Sequence, residues 1–157
     1  MNLKITGPSP GKSQICEPIL RSLPQWFGIE AATLQYVNDI ELMPTLLAWS
    51  DEELLGFLTL KTHGEKSAEI QVMAVRPEYH RSGTGQALLK RAEEYLHEKG
   101  VEYLQVKTLS STDPDENYAR TRAFYLAVGF VALEEFPTLW GEENPCLQLV
   151  KRLSKCR

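Results

Sequence analysis

The sequence has little from which to build metal centres or disulfide frameworks, with three cysteines and three histidines in 157 residues. Cys16, Cys146 and Cys156 are odd in number and widely spaced, and no CxxC pair occurs. That excludes a disulfide framework and a zinc-ribbon arrangement. His63, His80 and His97 lack metal-ligand spacing, so no metal is expected. Free thiols suit a reducing compartment, and the cytoplasm is the expected location. The N-terminus carries no leader pattern, and no apolar run approaches the roughly 20 residues that span a bilayer, so no membrane partner is expected. No dense Lys/Arg run is present either. Seventeen basic residues against 21 acidic ones give a formal charge of -4, which argues against nucleic acid as a partner.

What is present is the composition of an ordinary globular chain, 43% hydrophobic and 24% charged. Its length predicts a single domain over residues 1–157. Strand patterns occur at 3–6, 44–49, 54–62, 68–75, 101–108, 130–136 and 146–151, and helical spacing at 12–23, 30–37, 84–99 and 118–128. Gly7-Pro8-Ser9-Pro10-Gly11 is expected to stop the first strand, and Pro18 marks a weak spot or boundary of the first helix. Strands interleaved with helices read as one mixed α/β unit.

The most informative stretch is Val75-Arg76-Pro77-Glu78-Tyr79-His80-Arg81-Ser82-Gly83-Thr84-Gly85-Gln86, between an apolar strand and an amphipathic helix. The first N–H groups of a helix have no internal partner, and the helix dipole points its positive end the same way. Glycines let a ligand approach that backbone, so the loop is a cradle for a pyrophosphate. A Walker P-loop is excluded because no Gly-Lys-Ser/Thr follows. A dinucleotide fold fits poorly, since no acidic residue closes a following strand.

His80-Arg81-Ser82-Gly83-Thr84-Gly85, preceded by Ala-Val-Arg-Pro-Glu-Tyr, resembles the Gln/Arg-x-x-Gly-x-Gly/Ala motif of the GNAT superfamily of N-acetyltransferases. His80 stands where Gln or Arg is usual. Phe124-Tyr125-Leu126-Ala127-Val128-Gly129-Phe130 is similar to the superfamily's Phe-Tyr-x-x-x-Gly-Phe segment, with Tyr118 and Thr121 replacing the usual Asn and Ala and Asn117 one position out of register. The resemblance implies a GNAT-type mixed, mostly antiparallel sheet, splayed near Met73 and flanked by helices on both faces. It implies acetyl-CoA as co-substrate, held by His80, Arg81, Ser82, Gly83, Thr84, Gly85 and Gln86, by backbone groups of Met73, Ala74 and Val75, and by Asn117, Tyr118, Thr121 and Phe124. Tyr125 is the implied acid that protonates the departing thiolate.

The strand Glu69-Ile70-Gln71-Val72-Met73-Ala74-Val75 is similar to the catalytic strand of the histone-acetylating branch, whose glutamate is the general base; here that is Glu69. An alkylammonium, pKa about 10, must lose a proton before its nitrogen attacks a thioester. Strand alternation predicts Glu69, Gln71, Met73 and Val75 on one face and Ile70, Val72 and Ala74 on the other. Trp26, Phe27 and Trp140 are candidate walls of an acceptor pocket, and Glu30 a candidate partner for a cationic amine; ordinary packing and solvation explain them equally well. Cys146 as an acyl carrier is disfavoured by the lack of a nearby histidine.

The resemblance thus implies direct acetyl transfer to a primary amine in a ternary complex. A small-molecule acceptor is the expected partner, and a homodimer is compatible with the pattern. The rival readings are a non-catalytic acyl-CoA sensor and an acetyltransferase of protein amino groups.

Overall fold

The computed structural model describes residues 2–153. Seven strands and four helices alternate along the chain: β1 (Leu3–Ser9), α1 (Ser13–Arg21), α2 (Glu30–Leu42), β2 (Thr45–Ser50), β3 (Glu53–Thr62), β4 (Ser67–Val75), α3 (Thr84–Glu98), β5 (Tyr103–Leu109), α4 (Glu116–Ala127), β6 (Val131–Phe136) and β7 (Cys146–Arg152). All seven strands join one sheet in the order β1-β2-β3-β4-β5-β7-β6. Every neighbouring pair is antiparallel except β4 and β5. The mixed, mostly antiparallel sheet expected from the sequence is therefore the one formed, with helices on both faces.

Apolar spacing assigns the faces. On one, α1 and α2 bury Cys16, Ile19, Leu20 and Ile40 against Leu47, Phe57, Val72 and Ala74. On the other, α3 buries Leu88, Leu89, Ala92 and Leu96 against Leu46, Leu58, Ile70 and Leu104, joined by Tyr125 of α4. Each such leucine contributes on the order of 1.5–3 kcal/mol by leaving water. Among the described residues, no helix is long and apolar enough to cross a membrane.

Three local expectations change. The first strand runs on through Gly7-Pro8 to Ser9, because a register shift against β2 between Thr6 and Ser9 absorbs the breakers and Gly7 adopts φ 93°. Pro18 lies inside α1, whose burial of Cys16, Ile19 and Leu20 outweighs the missing N–H in so short a helix. Helix α2 continues five residues past position 37: Asp39, a weak helix former, is buried there with its carboxylate bonded to Gln35 and Gln71.

The fourth correction bears on the site. β3 pairs Thr59 with Val72 but Leu60 with Ile70, so Gln71 is an extra residue, a β-bulge in β4. Alternation resets across it. Ile70, Met73 and Val75 face the α3 side, whereas Val72 and Ala74 face α1 and α2. Glu69, opposite Lys61, falls with Val72 and Ala74, not with Met73 and Val75 as strict period two predicts.

Candidate active site

The parallel pairing of β4 with β5 covers only Ser67 to Ile70 against Tyr103 to Val106. Beyond it the two strands part, and the β5-facing edge of residues 71–75 has no strand partner. A cleft of about 1270 Å³ opens at the splay, with Met73, Ala74 and Val75 on its floor and Thr108 and Leu109 of β5 opposite. Drug-sized ligands occupy roughly 300–1,000 Å³, so the cleft has room for two molecules side by side.

At one end stands the start of α3. Ala87 N–H to the Gly83 carbonyl, 3.0 Å, is the first bond of the helix, so the N–H groups of Thr84, Gly85 and Gln86 precede it. Arg81 (φ 62°) and Gly83 (φ 86°) both take left-handed backbone, which turns the loop over the helix end. A Cβ on Gly83 would project into open space, whereas one on Gly85 would lie 3.3 Å from the Phe124 ring. The first glycine thus leaves the cradle clear, and the second lets α3 seat against α4. Buried Thr84 shares its hydroxyl with Ser82, and Ser82 in turn bonds the Tyr79 carbonyl. The side chains of Ser82 and Thr84 hold the loop's shape and are not among those lining the cleft.

Helix α4 forms the opposite wall. Asp115 caps it, accepting from the N–H groups of Asn117 (2.7 Å) and Tyr118 (3.2 Å). Phe124, Thr121, Tyr118 and Arg120 line the cleft; Asn117 does not, and its side chain accepts from Arg120 instead. Tyr125 is 5% exposed, yet it lines the cleft and has no hydrogen-bond partner among the described residues. Its hydroxyl is not shut away either, since no buried side-chain polar atom is unsatisfied among those residues. Burial pushes this phenol above its ordinary pKa, so it is a protonated donor at neutral pH.

The three positions at which the chain departs from the superfamily motifs converge on one residue. Trp26, in the α1–α2 loop, donates its indole N–H to Thr121 Oγ1 at 3.0 Å. Its carbonyl accepts from Tyr118 Oη at 2.7 Å, and its ring meets His80 edge-on at 5.7 Å. Burial pushes Tyr118 up to about 12, which keeps it a donor. His80 itself donates from Nε2 to the Val75 carbonyl, 2.8 Å, so that one of the floor's expected main-chain acceptors is already engaged. Trp26 thereby bridges the cradle and α4 across the cleft.

Beyond Trp26 the cleft continues beneath α2, where Phe27, Tyr36, Trp140 and Lys107 line it. Glu69 is not on that lining. It is 6% exposed, with one oxygen 2.9 Å from Lys107 Nζ and the other 2.6 Å from His63 Nε2. Lys107 is thus the member of the pair that reaches the cleft. Its signal was available in the sequence: Gln105 and Lys107 interrupt an interior strand between Leu104, Val106 and Leu109. Glu30 opens α2 but is exposed and bonds Arg21 on α1, outside the cleft; that hydrogen bond holds its carboxyl below the usual range.

Burial pushes the Cys16 thiol up to about 12 and that of Cys146 to about 11, so neither is a thiolate nucleophile at neutral pH. Cys156 lies outside the described residues. Among those residues no cluster of three or more metal-ligating side chains occurs.

The arrangement fits a diphosphate carrying a long thiol arm: open N–H groups at a helix start, an unpaired strand edge as floor, and an unpartnered hydroxyl beyond. Solved structures share the architecture. They include a ribosomal-protein-S18-alanine N-acetyltransferase from Escherichia coli (18% identity, 99% of this chain and 96% of that one, TM-score 0.75). An aminoglycoside 6'-N-acetyltransferase complexed with coenzyme A aligns at 17% identity over 98% and 99% of the two chains, TM-score 0.74. The PaiA N-acetyltransferase from Thermoplasma acidophilum, in complex with coenzyme A, aligns at 19% over 97% and 99%, TM-score 0.76. At these identities the likeness is one of fold. No curated protein matches the sequence. The sequence model of the acetyltransferase (GNAT) family matches residues 16–130, most of the chain and all of the cleft's first wall, floor and α4, and the protein belongs to that family.

Proposed function

We propose that this protein transfers an acetyl group from acetyl-CoA directly to the nitrogen of a small primary amine. The observation that carries the reading is the splay between β4 and β5, which lies between the open start of α3 and the unpartnered Tyr125 hydroxyl. In this reading the N–H groups of Thr84, Gly85 and Gln86, with Arg81, hold the pyrophosphate, and the free edge of Met73 and Ala74 holds the arm. Acetyl-CoA supplies the activated acyl group as a thioester. Tyr125 holds the proton that the leaving sulfur needs. High thiol pKa values at Cys16 and Cys146 favour direct transfer over an acyl-cysteine. Two unpaired buried thiols also suit a cytoplasmic home.

The acceptor's proton leaves by way of Lys107. Lys107 first gives a proton to Glu69, whose far oxygen meets His63, and the neutral Lys107 amine, its lone pair freed, then takes the proton that the acceptor's ammonium releases. Glu69 acts through Lys107, as the bulge at Gln71 dictates. Glu69→Gln is expected to lower kcat/KM at pH 7 on the order of 100-fold. The deficit should shrink toward pH 10, where the free amine no longer needs the relay. A pH profile parallel to that of the native enzyme would assign the pair to structure alone.

The reading as a whole is tested by free-thiol release from acetyl-CoA in the presence of a mixed panel of amines. Amine-dependent release, with the N-acetylated product seen by mass spectrometry, is expected. Tight acetyl-CoA binding with no release for any amine or peptide would support the sensor instead.

A further inference from the structure

We infer that the acceptor is a monoamine with an aromatic or branched apolar body, and that polyamines and aminoglycoside-like polycations are excluded; this rests on the acetyl-transfer reading above. The acceptor side of the cleft, at the α1–α2 connection and α2, is lined by Leu23, Trp26, Phe27, Ile29 and Tyr36, and Trp140 of the β6–β7 segment lines the same cleft. Among the described residues, no aspartate or glutamate lines the cleft at any point, while Lys107, Arg81 and Arg120 do. Of the carboxylates on the surrounding elements, Glu142 and Glu143 are exposed and off the lining, and three others are engaged elsewhere. Glu30 is held by Arg21, Asp39 by Gln35 and Gln71, and Glu69 by Lys107 and His63.

A second ammonium group carried into this end would lose its water and find no anion. Taking an unpaired ion out of water is strongly unfavourable in protein interiors. Aromatic faces return only a small part of that through cation–π contact, so they do not offset it. Lys107 adds repulsion. For the single reacting nitrogen the same surroundings help: desolvation and a neighbouring cation both disfavour the ammonium form, bringing its pKa down toward neutrality and raising the fraction that can attack. The apolar body meanwhile gains by leaving water for the aromatic walls. Rejection of a polycation and activation of a monoamine therefore follow from one feature.

The test compares tryptamine, phenethylamine and isoamylamine with spermidine and kanamycin as acceptors in thiol release from acetyl-CoA, for the native protein and for Trp140→Glu. Trp140 is 39% exposed in the segment between β6 and β7, so glutamate is accommodated there and sets a carboxylate on the wall. The native protein is expected to favour an apolar monoamine over spermidine and kanamycin at least ten-fold in kcat/KM. In Trp140→Glu that ratio is expected to fall about ten-fold, with spermidine gaining in absolute kcat/KM. Spermidine or kanamycin as the best native acceptor would overturn the inference while leaving acetyl transfer standing. Acetyl-CoA binding without turnover of any amine would overturn both.

Discussion

Gly83→Glu is expected to abolish acetyl-CoA binding, and Gly83→Ala to retain it. Gly83 sits at the N-cap of α3 with φ 86°, and a Cβ there meets nothing within 4 Å. Both variants accept the left-handed backbone at a cost of about 1 kcal/mol. Only glutamate adds a charge, and it extends into the space in front of the N–H groups of Thr84, Gly85 and Gln86. Two like charges about 4 Å apart near a protein surface repel by about 4 kcal/mol, which is roughly a thousand-fold in Kd. Calorimetry with acetyl-CoA reads the difference directly, and a thermal melt of each variant without ligand reports the shared strain. Equal binding by Gly83→Glu and Gly83→Ala would remove the diphosphate from this loop. Equal loss in both would assign the effect to backbone strain.

The cradle was legible in the sequence because it depends on backbone: a strand, two glycines and a helix start suffice to specify open N–H groups. The start of α4, two positions ahead of where helical spacing begins, is local in the same sense, since Asp115 caps its own next three residues. What escaped was long-range. The bulge at Gln71 is decided by how β4 registers on β3, and period two alone carries Glu69 to the wrong face. Glu30 sits at the right end of α2, but Arg21 on the preceding helix claims it. Lys107 breaks the apolar run of its strand visibly, but its partner is decided only when β4 brings Glu69 beside it.

The motif departures show how such long-range contacts reinterpret a sequence. His80, Tyr118 and Thr121, taken one at a time, look like three weakened cofactor contacts. Together they are three sides of the seat for Trp26, which neither motif contains and which lies 92 and 95 positions from two of its partners. The residues that differ from the pattern are each engaged by Trp26. A cleft whose cradle and α4 share a bridging indole couples the two ends physically, because a shift of the α1–α2 loop moves a wall of both.

Tyr125→Phe is expected to lower kcat on the order of 100-fold at pH 7 while leaving acetyl-CoA affinity nearly unchanged. The substitution removes one oxygen and keeps the ring, which packs edge-on against Phe124 at 5.4 Å and Phe130 at 5.3 Å. The hydroxyl has no protein partner among the described residues, so its loss leaves no orphaned group behind. Stability should therefore change by less than about 0.5 kcal/mol. The sign of the pH dependence follows from two pKa values. Burial raises that of Tyr125, so the native donor stays protonated through the neutral and mildly alkaline range. The nearest reference for the leaving thiol, a cysteine side chain, titrates at about 8.5, and a plain alkyl thiol lies somewhat above that. Below that pH the departing sulfur needs a proton and the variant cannot supply it; above it a thiolate departs unaided. The deficit should accordingly narrow as pH rises from 7 to 9.5. A deficit constant across that range would show that the hydroxyl orients the bound arm without donating to it, and the proton would then have to come from another group in the cleft.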